Sequence, residues 1–263
     1  MSNLKFLLLS LLILCFCVYN SSSQSKFSVL VSGGYTAPLG DFHSEVPLVD
    51  SVREDWPYQM KAAYNFGVLG LYPITKQKNL NIAFGITYTA FSNSIDILVP
   101  SSGTGGNIDA GVDTGTTLTI NPKIHMFTVS LGVLYKFGLN KKLRPMLSFD
   151  LTGNFLSGTV DFTSSPTSLY TSTEIKSAFR GGFQLGGGFE YLINDYFGLY
   201  GGLKYNLVNL LGKSSENSTQ TASITLGDKS HTINGISRPN RTISYIQISF
   251  GASLYFQNPG EQK

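Results

Sequence analysis

Three observations predict an all-β fold, an eight-stranded antiparallel up-and-down transmembrane β-barrel. Beyond residue 23, apolar and polar residues alternate with period two in eight separate runs. The connections between those runs are short and long by turns. The apolar face is bulky and aromatic, while the polar face is mostly Gly, Ser, Thr and Asn. Composition points the same way. Charged residues make up only 13% of the 263, about half the usual share of a soluble domain. Gly (28), Tyr (14) and Phe (18) are plentiful, unlike in a disordered chain. Mean hydropathy is +0.06, too low for a bundle of membrane helices. The formal net charge of +3 is small and dispersed, so no nucleic-acid partner is expected.

Residues 1–23 read as a signal peptide, and 24–263 as one barrel domain with strands within 27–256. Lys5 gives the positive start, Phe6 to Tyr19 the apolar stretch, and Ser21 and Ser23 the small residues of a cleavage site. Both cysteines, Cys15 and Cys17, lie in that segment, where Leu14 and Phe16 replace the small residue that lipidation requires. The exported chain is therefore expected to lack disulfides, thiol chemistry and Cys-ligated metals.

The eight runs lie near 27–37, 63–73, 79–91, 126–137, 145–156, 179–191, 196–208 and 244–256. Each has about the length that a tilted strand needs to cross a bilayer. In 126–137, Phe127, Val129, Leu131, Val133, Tyr135 and Phe137 share one face, against Thr128, Ser130, Gly132, Leu134 and Lys136. Links 74–78, 138–144 and 192–195 are short, and 38–62, 92–125, 157–178 and 209–243 are long. Such barrels keep short turns on the periplasmic side and long loops outside, so both termini are expected at the periplasmic end.

A soluble barrel would hide its apolar face and show water a Lys- and Glu-rich one. Here the polar face of 179–191 is Arg180, Gly182, Gln184, Gly186, Gly188 and Glu190, which suits a narrow, filled bore. Threading the strands up and down gathers Phe27, Tyr72, Tyr135, Phe137, Tyr191, Phe197 and Phe256 at the periplasmic rim. Tyr35, Tyr64, Tyr88, Phe127, Phe155, Phe179 and Tyr205 gather at the outer rim. Two aromatic girdles flanking an apolar band are what lipid interfaces favour. Val129, Leu131 and Phe250 in a closed interior, with Lys136 and Arg180 in solvent, would contradict this reading.

Two stretches carry a family resemblance. Ser32-Gly-Gly-Tyr-Thr-Ala-Pro-Leu-Gly-Asp-Phe42 is similar to a first strand and its exit into the first outer loop. Ser249-Phe-Gly-Ala-Ser-Leu-Tyr-Phe256 resembles the final-strand signal read by the barrel assembly machinery. Together they resemble the small outer-membrane β-barrels of Gram-negative bacteria, the OmpA-like or OmpX-like barrel domain, over about residues 26–256. The family signal usually ends the chain on an aromatic residue, whereas Gln257 to Lys263 follow here. The resemblance implies residence in the cell outer membrane, contact with lipid and lipopolysaccharide, and assembly by that machinery. No peptidoglycan-binding domain is expected after residue 256.

Lys136, Asp150, Arg180, Glu190 and Lys204 recur on the inward face, and buried charges are costly unless paired. They are expected to form a structural charge network in the bore, with Asp150–Arg180 and Glu190–Lys204 as pairs across adjoining strands. His43, His125 and His231 fall in or beside long connections, with His125 best placed for lipid chemistry beside Ser92 and Ser177. Asn107, Asp109 and Asp113, in the Gly-rich loop 103–113, lack the spacing of a calcium loop. Neither a catalytic site, a metal nor a cofactor is expected. The expected role is structural or adhesin-like, with an extracellular ligand met by the long loops. A narrow passive channel ranks next, then a lipid-modifying enzyme, then a soluble carrier.

Overall fold

The computed structural model describes residues 27–43, 58–75, 77–99, 116–138, 142–165, 169–215, 223–233, 236–238 and 240–256. The signal segment 1–23 and the loop 103–113 with Asn107, Asp109 and Asp113 lie outside the described residues. The described strands are β1 (Phe27–Leu39), β2 (Ala63–Pro73), β3 (Leu80–Ser92), β4 (Ile95–Val99), β5 (Thr116–Lys136) and β6 (Leu143–Ser165). They continue with β7 (Leu169–Leu192), β8 (Phe197–Leu211), β9 (Ser223–Ile224), β10 (His231–Ile233), β11 (Ile236–Arg238) and β12 (Ser244–Phe256).

The eight long strands close into a ring in which every neighbour is antiparallel. β1 pairs with β2, β2 with β3, β3 with β5, and β5 through β8 pair in sequence. β8 then pairs with β12, and β12 returns to β1 from Phe27↔Phe256 to Leu39↔Ser244. Closure leaves no open edge in this ring, the condition for a sheet to cross hydrocarbon.

The two faces separate as their chemistry requires. Phe250 is 68% and Leu131 56% exposed on the outer wall, while Lys136 and Arg180 are 3% and 4% exposed in the bore. Cross-strand register aligns Phe66, Tyr88, Phe127, Phe155 and Phe179 into an arc of exposed rings over five strands. Phe27 and Phe256 pair at the opposite rim, with ring centres 6.1 Å apart. From Phe127 to Phe137 the chain advances about 33 Å, or about 25 Å of membrane thickness at the usual tilt.

The strands of the outer half run longer than the alternation predicted. Residues 116–125, 157–165 and 169–178 were expected in loops, yet they extend β5, β6 and β7, and β4 adds to the edge of β5. The cause is an inversion of hydrophobic phase. Below Phe127 the odd residues of β5 are apolar and face out. Above it, Ile120, Ile124 and Met126 are buried inside, while Lys123 and His125 are exposed. β6 switches likewise, from exposed Phe155 to buried Leu156 and Val160. Above the bilayer the outside is water, so the apolar face must turn inward.

Glycines set how closely neighbouring strands approach. A Cβ on inward-facing Gly132 would run into the Phe149 carbonyl, and one on Gly182 into the Leu207 carbonyl. Gly132→Ala is therefore expected to destabilise the barrel by about 1–3 kcal/mol through overpacking. The check is a lower urea midpoint at an unchanged slope in lipid vesicles. Gly33→Ala, where a Cβ would meet nothing closer than 3.5 Å, is the silent control.

Candidate functional site

Polar side chains fill the bore in tiers. Nearest the periplasm, Lys136 Nζ donates to Glu190 Oε2 at 3.0 Å and to Tyr255 Oη at 2.8 Å. Higher up, Lys204 Nζ lies 3.5 Å from Asp150 Oδ2. Gln247 donates to Asn65 Oδ1 at 2.9 Å, and Asn65 to Thr36 Oγ1 at 2.9 Å. Asn154 then accepts from Thr128 Oγ1 at 2.8 Å and donates to the Val208 carbonyl at 3.0 Å.

The uppermost pair joins wall to loop. Arg180 grips Asp228 in a fork, Nε to Oδ2 at 2.8 Å and a terminal nitrogen to Oδ1 at 2.7 Å. Asp228 lies between β9 and β10 and is fully buried. It also accepts from Asn209 at 2.9 Å and from the Ser214 backbone N–H at 2.9 Å. Burial alone would raise its carboxyl. The bonds from Arg180, Ser214 and Asn209 outweigh burial and hold it below the ordinary carboxylate range.

All five bore charges face inward, but neither expected pairing forms. Asp150 stands opposite Gln184, four residues along β7 from Arg180, which is opposite Asn154. Glu190 stands opposite Tyr200, four residues along β8 from Lys204. Each error amounts to about 13 Å along the strand. The real pairs skip a strand, because long side chains reach across a narrow bore. The Lys204 stem passes over Gly186 of β7 to reach Asp150 on β6, and a side chain at Gly186 would collide with it.

Above the polar tiers the bore is closed by an apolar plug. Phe42, which ends a short 3-10 turn after β1, lies 4.8 Å from Phe91 and 5.6 Å from Tyr58, centre to centre. Phe91 meets Tyr245 at 5.5 Å. Met60, Ile120, Ile124, Leu156 and Ile243 belong to the same cluster, all fully buried. Tyr58 Oη donates to the Leu226 carbonyl at 2.8 Å, tying the first outer connection to the last. An inward face of small residues was expected; at this level it is aromatic. Phe42 and Tyr58 sit outside the eight runs, and only the odd apolar spacing of Phe91 and Tyr245 relative to the lipid face could have marked the plug.

Two cavities flank these tiers. At the periplasmic mouth, about 290 Å³ is lined by Lys78, Asn81, Lys136, Arg144, Asp195 and Tyr255 among others. On the outer wall, about 460 Å³ is lined by Tyr88, His125, Phe155, Ser157, Ser177 and Phe179 among others. Tyr88 Oη and His125 Nδ1 are hydrogen-bonded at 2.7 Å. His125 thus shares a groove with Ser177 and Ser157, whereas Ser92 lies opposite Lys123. No carboxylate is among the described residues lining this groove, so the third member of a nucleophile–base–orienter chain is missing there. His43 contacts the Met60 carbonyl at 3.2 Å, and the side chain of His231 lies outside the described residues.

A filled ring of eight strands with a lipid-type exterior agrees with the sequence comparison. The model of the outer membrane protein beta-barrel domain matches residues 8–234. The chain belongs to that family. Its members' outer-membrane location accounts for the exposed aromatic girdles. Among solved structures, Neisserial surface protein A is similar at 12% identity and a TM-score of 0.45, covering 89% of this chain and 100% of the other. Ail, the attachment invasion locus protein of Yersinia pestis, aligns at 11% identity and a TM-score of 0.37, over 88% and 97%. OprG of Pseudomonas aeruginosa aligns at 10% identity and a TM-score of 0.40, over 90% and 99%. No curated protein matches the sequence.

Removing one partner of a buried pair strands the other. Lys136→Met is expected to cost about 3–5 kcal/mol, while Lys136→Met with Glu190→Leu recovers most of it. A double-mutant cycle from urea unfolding in vesicles checks this. The Asp228 anchor sets a pH response. Because its folded carboxyl is depressed, its stabilisation is complete at neutral pH and is lost only below about pH 4. Hydrogen exchange across 223–233 is expected to accelerate on acidification below that point, and Asp228→Asn to show the fast exchange at neutral pH.

Proposed function

We propose that this family member is a non-enzymatic, non-conducting barrel with a structural or surface-interaction role. The observation that supports this is the apolar plug of Phe42, Tyr58, Phe91 and Tyr245. Ions cross a constriction only if water can wet it, and this one is buried, ring-packed and dry in character. The polar tiers beneath add the Lys136–Glu190 and Asp150–Lys204 pairs, which close the bore as a structural network.

The extension of β5, β6 and β7 supports the interaction role. It carries the ends of β5, β6 and β7 above the level where the hydrophobic phase inverts, where an extracellular ligand is within reach. The partners of this reading are outer-membrane lipid and lipopolysaccharide around the wall, and the barrel assembly machinery, which reads the strand ending at Phe256. The testing measurement is planar-bilayer conductance of the purified chain. A silent bilayer is expected, with heat-modifiable gel migration confirming the folded barrel. Stepwise single-channel currents would replace this reading with that of a narrow pore.

A further inference from the structure

We propose that the outer rim carries a lateral site for one glycolipid of the outer leaflet, an acylated saccharide. The groove of about 460 Å³ lies on the membrane-facing wall, where the hydrophobic phase inverts. Its cause is a bulge. Leu156 pairs with Ala178 and Gly158 with Ile175, so Lys176 and Ser177 of β7 together face the single Ser157 of β6. Such an extra residue bends and twists the strand, which opens the wall.

Three chemistries follow one another along the membrane normal. The lowest is aromatic, with Phe127, Phe155 and Phe179 in register on adjacent strands and exposed. These rings offer an apolar floor for acyl chains. Next comes a polar step. His125 stands directly opposite Ser157, bonds Tyr88 at 2.7 Å, and stacks on that ring at 6.1 Å. Highest is a polar shelf edged by an exposed ring. Asp161 accepts from Ser172 at 2.7 Å, from Lys123 at 2.9 Å and from Tyr170 at 3.1 Å, and Tyr170 stays 65% exposed.

The order apolar, hydrogen-bonding, saccharide-binding is that of a glycolipid read from its tails outward. A phospholipid would satisfy the lower two tiers but has no sugar for the shelf. A soluble sugar would leave the aromatic floor bare. Continuity of the groove with the lipid-facing belt selects the membrane-borne ligand. The proposal rests on placement in the outer membrane and not on the sealed bore, so the conductance result does not decide it.

The experiment is native mass spectrometry of the full chain in detergent, titrated with purified short-core lipopolysaccharide or with phosphatidylglycerol. One lipopolysaccharide is expected to be retained per barrel. Ser177→Trp, which fills the groove, is expected to weaken retention at least about tenfold. Lys123→Ala with Tyr170→Ala is expected to weaken lipopolysaccharide about tenfold and to leave phosphatidylglycerol unchanged. Heat-modifiable migration certifies folding. If the Trp variant does not fold, the shelf variant still decides. Equal retention by wild type and shelf variant would overturn the site, as would displacement of lipopolysaccharide by an equal concentration of phosphatidylglycerol.

Discussion

Hydrocarbon offers no partner to a backbone N–H or C=O, and the rest of this molecule follows from that constraint. A sheet can satisfy it only by closing on itself. The pairing of β12 with β1 over thirteen residue pairs is therefore the contact on which the barrel depends. It joins the two ends of the ring and brings Phe27 and Phe256 together at the periplasmic rim. An open edge there would leave a row of unpaired groups in lipid, each costing several kcal/mol, on the order of the whole stability of the fold.

Closure with eight strands makes the bore narrow, and narrowness governs the interior. Where neighbouring strands crowd most closely there is room for nothing beyond hydrogen, as at Gly132 and Gly182. Where a glycine leaves a gap, a long side chain from elsewhere crosses it, as Lys204 does over Gly186. Charges can therefore meet partners two strands away and neutralise one another there. Lys136, Glu190 and Tyr255 illustrate this, drawn from β5, β7 and β12. Towards the outer end, polar filling gives way to apolar filling because the surroundings of the wall change from lipid to water.

That change was written in the chain but legible only in part. The strand runs that cross the membrane stood out, since Phe127, Val129, Leu131 and Val133 alternate with small polar residues without interruption. The extension above them also alternates, as Leu118, Ile120 and Ile124 with Thr119, Asn121 and Lys123. Its phase is shifted by one residue and its polar members are larger, so it resembles a loop to a reader who keeps one face apolar throughout. The shift is a physical signal of the membrane surface, because a side chain's best direction reverses when its outer neighbour changes from hydrocarbon to water.

Period-two alternation, by itself, determined the strand identities, which face meets lipid, and which charges lie inside, for those depend on residue type and neighbours along one strand. Which charges meet did not follow. Pairing depends on the register between strands, and a displacement of four residues moves Arg180 from Asp150 to the level of Asn154. The partner it found, Asp228, lies in a connection that folds back into the mouth, a position no local pattern encodes. The same holds for the plug, in which Phe42 and Tyr58 of the first connection meet Phe91 of β3 and Tyr245 of β12. Only the closed ring brings those rings together, because proximity in a barrel is set by stagger and curvature rather than by order along the chain.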